Sequence, residues 1–110
     1  MTEHDWSATT LDCLFRTLSH QSRRRILVFL AREYGADEAV ELERFAAELA
    51  EAGVAPENLY HVHLPQLDEA GFVDWDQERA TIRRGPLLEE ATPLLELLDE
   101  HREELPAGWP

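Results

Sequence analysis

Lysine is absent from the chain. All ten basic residues are arginine, they face 23 acidic ones, and the formal net charge is −13. Overall charge therefore argues against an anion-binding surface, and only local clusters of arginine are left to hold a phosphate. Cysteine is nearly absent too. Cys13 stands alone, which excludes an intramolecular disulfide and a thiolate metal site within one chain, and its expected place is the core. No apolar run approaches the roughly 18 residues of a membrane-spanning helix. The opening residues, Met1 to Thr10, have neither the basic start nor the apolar stretch of a signal peptide, so a cytoplasmic location without a membrane partner is expected. Gly-rich phosphate loops and a G-x-S-x-G elbow are missing. Ser7, Ser19 and Ser22 fall near expected helix starts, where capping accounts for them. Acidic pairs are so numerous that none is informative. No catalytic residue and no cofactor is assigned, and an enzyme is not expected.

What is present is helical periodicity. The chain has 110 residues, 44% of them apolar, enough for one domain with a modest core. From Ser7 to Leu18 the apolar positions Leu11, Leu14, Phe15 and Leu18 recur at three and four residues, which predicts a first helix. Ser19 offers a cap to a second, whose stripe is Ile26, Leu27, Phe29, Leu30 and Tyr34, ending near Gly35. A short β segment around Glu38–Val40 leads into a third helix with Leu42, Phe45, Ala46, Leu49 and Ala50 inward, closed by Gly53. Pro56 suits the first position of a fourth, with Leu59, Tyr60, Leu64, Leu67 and Ala70 inward and Gly71 as its stop. Two amphipathic helices joined by a tight turn make a helix-turn-helix.

After Gly71 the period changes to two. Phe72, Val73 and Trp75 read as a strand, Asp76 to Arg79 as a turn and Ala80 to Arg83 as the return, so a hairpin, or wing, follows the helix-turn-helix. Gly85 and Pro86 break it, and a leucine-rich final helix runs on despite Pro93. The expected fold is mainly α (α+β), a winged helix-turn-helix of about five helices with a two-stranded wing and room for a third short strand. Residues 1–8 are expected to form a flexible N-terminus, 9–105 the domain with its N- and C-terminal dimerisation helices, and 106–110 a tail that frays unless Trp109 docks. The final helix carries more leucine than one narrow stripe needs. Leu11, Leu14 and Phe15 with Leu87, Leu94, Leu95 and Leu98 are therefore the candidates for a homodimer surface.

The stretches LSHQSRRRILVFL (Leu18 to Leu30) and YHVHLPQLDEAGFVDWD (Tyr60 to Asp76) resemble the opening helix pair, and the recognition helix with its wing, of ArsR-type regulators. The second block is especially similar to ArsR-like domains of haloarchaea. The abundance of carboxylates without lysine likewise resembles proteins of those cells, whose cytoplasm holds molar salt. At about 1 M salt the Debye length is roughly 3 Å, so where charge lies outweighs its sum. Residues 1–35 hold five arginines against four acids and 71–85 three against three, whereas 36–70 and 86–110 are strongly acidic.

The resemblance implies a dimeric regulator on double-stranded DNA, with helix 56–70 in the major groove and wing 72–84 on the backbone. Asn58, His61, Val62 and Gln66 then become the base-reading candidates, His61 standing where the family usually has a contacting serine. Arg23, Arg24 and Arg25, with Arg79, Arg83 and Arg84 of the wing, become the phosphate candidates. Arg23 to Arg25 sit in a first helical turn, where the dipole opposes them, so they are expected to serve something outside their own helix, either phosphate or nearby carboxylates. Pro65 and Gln66 stand where the family commonly carries basic residues, and Pro65 removes a backbone donor. Glu57, Asp68 and Glu69 add negative charge beside the reading surface.

Family members often sense metals. Here His61 and His63 diverge by about 200° on a helix and cannot share an ion. Glu41 to Phe45 lacks the sensors' paired cysteines, and Asp99-x-His101-x-x-Glu104 is only half of an interhelical site, so no metal ligand is assigned. His63 is expected at the core edge, hydrogen-bonded. Two other readings stand beside the DNA-binding one: a winged helix used only to bind protein, and a metal-responsive repressor.

Overall fold

The computed structural model describes the backbone of residues 2–110 and the side chains of residues 10–110. Helix α1 (Thr2–Leu18) leads into α2 (Gln21–Glu33), strand β1 (Val40–Glu41) and α3 (Leu42–Glu51). Helix α4 covers 56–70 as three continuous pieces: an opening turn Pro56–Asn58, a π-helical turn Leu59–His63 and an α-helical stretch Leu64–Ala70. Strands β2 (Val73–Asp76) and β3 (Thr81–Arg84) form the hairpin, and α5 (Pro86–Glu100) ends in a 3₁₀ turn, Arg102–Glu104. Three antiparallel strands in the order β1-β3-β2 complete a winged helix-turn-helix. Helix α1 begins ahead of the expected Ser7.

The stripes read from the sequence converge on one core. Ile26, Leu27 and Leu30 of α2 meet Phe45 and Leu49 of α3, Leu59, Leu64 and Leu67 of α4, Ile82 of β3 and Leu88 of α5, all essentially without solvent contact. Ala50, expected inward, is exposed, because it lies one position beyond the stripe that Leu42, Phe45, Ala46 and Leu49 complete. The cap of α2 is not Ser19 but His20, whose Nδ1 accepts from the Ser22 N–H at 3.2 Å. Ser19 turns back to α1 and donates its hydroxyl to the Arg16 carbonyl at 2.6 Å. Strand β1 starts later than Glu38, since Glu38 closes a turn by accepting the Gly35 N–H at 3.0 Å.

Two glycines set the junction between helix and wing. Gly71 ends α4 with φ of 90°, a left-handed conformation open to glycine at little cost. Gly85 crosses it so closely that a Cβ would collide with the Gly71 carbonyl. At this neck the Gly85 N–H donates to the Phe72 carbonyl and the Leu87 N–H to the Gly71 carbonyl, each at 3.0 Å. The return strand begins at Thr81, one residue later than expected, because Ala80 is a turn residue at φ 54°. Such a conformation is unfavourable for a residue with a Cβ. It is secured by the Leu42 N–H, which donates to the Ala80 carbonyl at 2.9 Å.

The tail does not fray. Trp109 packs against the core and donates its indole N–H to Asp99 at 3.2 Å. The Gly108 carbonyl accepts from Gln21 and from Arg24, both at 3.3 Å.

Candidate nucleic-acid interface

Helix α4 presents one exposed stripe made of Asn58, His61, Val62, Pro65, Gln66 and Glu69. These positions follow the three-and-four spacing that puts side chains on one helical face, opposite buried Leu59, His63, Leu64 and Leu67. All four base-reading candidates thus share a single solvent surface. Pro65 lacks an N–H and would crowd the carbonyl four residues earlier. The turn before it is accordingly widened, and the Leu64 N–H bonds to the Leu59 carbonyl, five residues back. Glu57, beside the stripe, and Glu69, at its end, are both exposed. Asp68 is engaged, accepting the Trp75 N–H at 3.0 Å and so tying α4 to β2.

Position 63 departs from expectation. His63 is only 4% exposed and its Nδ1 has no hydrogen-bond partner. Its ring lies against His20, with centroids 5.3 Å apart. Burial first, and then the neighbouring His20 and Arg23, push its pKa below the usual value of 6.5.

The six arginine candidates divide into two groups. Arg79 at the hairpin turn has a side chain 82% exposed, in a loose pair with Asp76 at 3.8 Å. Arg83 is exposed on β3, across the ladder from Asp74. Arg84 points the other way. Its side chain is only 12% exposed, and one guanidinium nitrogen donates to both the Ala31 and Tyr34 carbonyls at 2.6 Å, while another meets Glu89 at 3.3 Å. It therefore closes the C-terminal end of α2 and is not placed on the wing's outer surface. The three arginines at the start of α2 act alike. Arg23 donates to the Thr17 and Arg16 carbonyls at 2.9 and 3.0 Å. Arg24 donates to the Leu18 carbonyl at 2.7 Å, and Arg25 to the Ala52 carbonyl at 2.8 Å. What these cations serve is the unsatisfied carbonyls at the ends of α1 and α3, where both hydrogen bonding and the helix dipole favour positive charge.

The dimer candidates also divide. Leu14 at 6% and Leu95 at 2% exposure belong to the chain's own core and cannot face a partner. Leu11 and Phe15, one step around α1 from Leu14 and Leu18, are exposed, and Leu87, Leu94 and Leu98 are partly so. Leu97, which lies off the inward stripe of Leu88, Ala91 and Leu95, is 53% exposed and joins them. Its distance from that stripe was the available sign. Phe15, Leu98, Leu105 and Trp109 border a hollow of about 330 Å³ where α1, the end of α5 and the tail meet.

Among the described residues, no group of three or more His, Cys, Asp or Glu side chains could hold a metal ion, and no helix is long and apolar enough to cross a membrane.

The molecule is thus a winged helix-turn-helix with an exposed polar face on its second motif helix and two exposed arginines on its wing. Residues 15–83 match a family described as a domain of unknown function, DUF7344, and the chain belongs to that family. The matched stretch takes in both helices of the motif and the wing up to Arg83. No curated protein and no solved structure matches the chain.

Proposed function

We propose that this protein is a DNA-binding transcriptional regulator of ArsR-like type, working as a homodimer in the cytoplasm of a salt-rich cell. The observation that carries the reading is the gathering of Asn58, His61, Val62 and Gln66 on the solvent face of α4, the helix that a helix-turn-helix lays in the major groove. Asn58 and Gln66 can each give and accept a hydrogen bond at an adenine edge, and Val62 can meet a thymine methyl. Arg79 and Arg83 supply phosphate contacts that fix register without reading sequence. The exposed apolar side chains of α1 and α5, Leu11, Phe15 and Leu97 foremost, supply the dimer contact. Two copies of α4 then meet half-sites about 10–10.5 base pairs apart. Molar salt suits so acidic a DNA binder, since it confines repulsion to distances of roughly 3 Å.

Fluorescence anisotropy with the promoter of the protein's own gene, against random DNA, from about 0.2 to 3 M KCl, tests this. Preferential binding that persists at high salt supports it. A folded dimer that binds no DNA at any salt refutes it.

One observation favours a second reading, a winged helix that binds protein only. Four of the six candidate phosphate-binding arginines are engaged with backbone carbonyls, and carboxylates flank the α4 stripe. In that case the partner engages α4 or α5, and nucleic acid is ignored.

A further inference from the structure

The corner between α1 and α2 is joined to α4 through two imidazoles. On one side is His20, whose Nδ1 must carry a lone pair to accept the Ser22 N–H and cap α2. On the other is His63 of α4, buried and with an unpartnered Nδ1. The rings touch at a centroid distance of 5.3 Å and a tilt of 58°. The charged or titratable groups acting on His63 are His20 and Arg23, both basic. Arg23 cannot swing away without releasing the carbonyls of Arg16 and Thr17.

We propose that the His20–His63 contact is a proton-sensitive joint between α4 and the α1–α2 corner, closed only while the His63 ring is neutral. A proton on His63 Nδ1 puts a buried charge beside a second histidine and a fixed guanidinium, with no carboxylate among the acting groups to offset it. That charge pushes the rings apart and loosens α4 at its π-helical turn. The sign follows from linkage. His63 binds a proton less readily when folded than when unfolded, so stability is complete above the unfolded value of about 6.5 and falls as pH drops below it. This device does not depend on what the outer face of α4 binds.

The test is histidine side-chain NMR of the full-length, ¹⁵N-histidine-labelled protein, paired with thermal unfolding at fixed salt between pH 7.5 and 5.5. The wild type is expected to titrate His63 below 6.5 and to lose several degrees of unfolding midpoint across that range. In His63→Leu more than half of that loss disappears. His20→Asn keeps a capping side chain that does not titrate, and in it the His63 titration moves up towards 6.5. His61→Gln, on the exposed face, changes neither reading. A His63 that titrates at or above 6.5 overturns the joint. So does a His63 titration unmoved by His20→Asn, or an acid-dependent loss as large in His63→Leu as in the wild type.

Discussion

The arginines of the molecular body and those of the wing are the same residue used in opposite ways. Arg23, Arg24, Arg25 and Arg84 direct their guanidiniums inward onto the carbonyls that end α1, α3 and α2. Arg79 and Arg83 project from the hairpin into solvent. In a chain with no lysine, one cation type has to serve both as helix-end clamp and as surface charge. The planar fork of arginine fits the first task, since two of its nitrogens reach two carbonyls at once, as those of Arg23 do. What separates the groups is distance from a helix C-terminus. Runs of basic residues are therefore poor indicators of an anion site when free helix ends lie within reach.

Four variants sharpen or break that division. Arg84→Ala should have the largest effect, about 3 kcal/mol of stability lost, because two partly buried carbonyls lose a charged donor together. Chemical denaturation measures it, and a loss below about 1 kcal/mol would mean that water replaces the guanidinium. Arg79→Glu combined with Arg83→Glu should leave the unfolding midpoint unchanged while lowering DNA affinity roughly tenfold or more at low salt. Anisotropy titration reads the affinity, and unchanged binding would remove the wing from the interface. Arg24→Ala should cost about 1 kcal/mol and release the tail, visible as a red shift and stronger quenching of tryptophan fluorescence. Arg44, paired with Glu48 on an exposed helical turn, marks the lower end, and thermal melts of Arg44→Ala should superimpose on those of the wild type.

Sequence periodicity was sufficient for the fold because each helix keeps its apolar residues on a regular stripe and each strand alternates. The stripe of Asn58, His61, Val62 and Gln66 could be drawn in advance for the same reason. Periodicity does not show what lies across space. Arg84 adjoins Arg83 in sequence, yet its targets are the carbonyls of Ala31 and Tyr34, some fifty residues away and bare of any side-chain signal. Leu14 and Leu95 satisfied the apolar pattern of an interface equally well as that of a core, and only packing separates the two uses. His63 looked like an ordinary edge histidine. Its unpartnered nitrogen and its contact with His20 depend on how α4 meets the α1–α2 corner, a tertiary fact with no local trace.

The crossing of Gly71 and Gly85 also bears on how this molecule can vary. Both strands of the hairpin enter and leave the body through that one narrow gate, and residues 77–79 form an exposed turn beyond the hydrogen bond from Leu42 to Ala80, held only to Asp76 of the hairpin itself. Residues inserted there only lengthen an exposed loop, at about 0.6 kcal/mol for each doubling of its length. A single methyl added at the gate would instead wedge the two chain segments apart. The reach of the hairpin can therefore drift between relatives while the helices beneath it keep their arrangement.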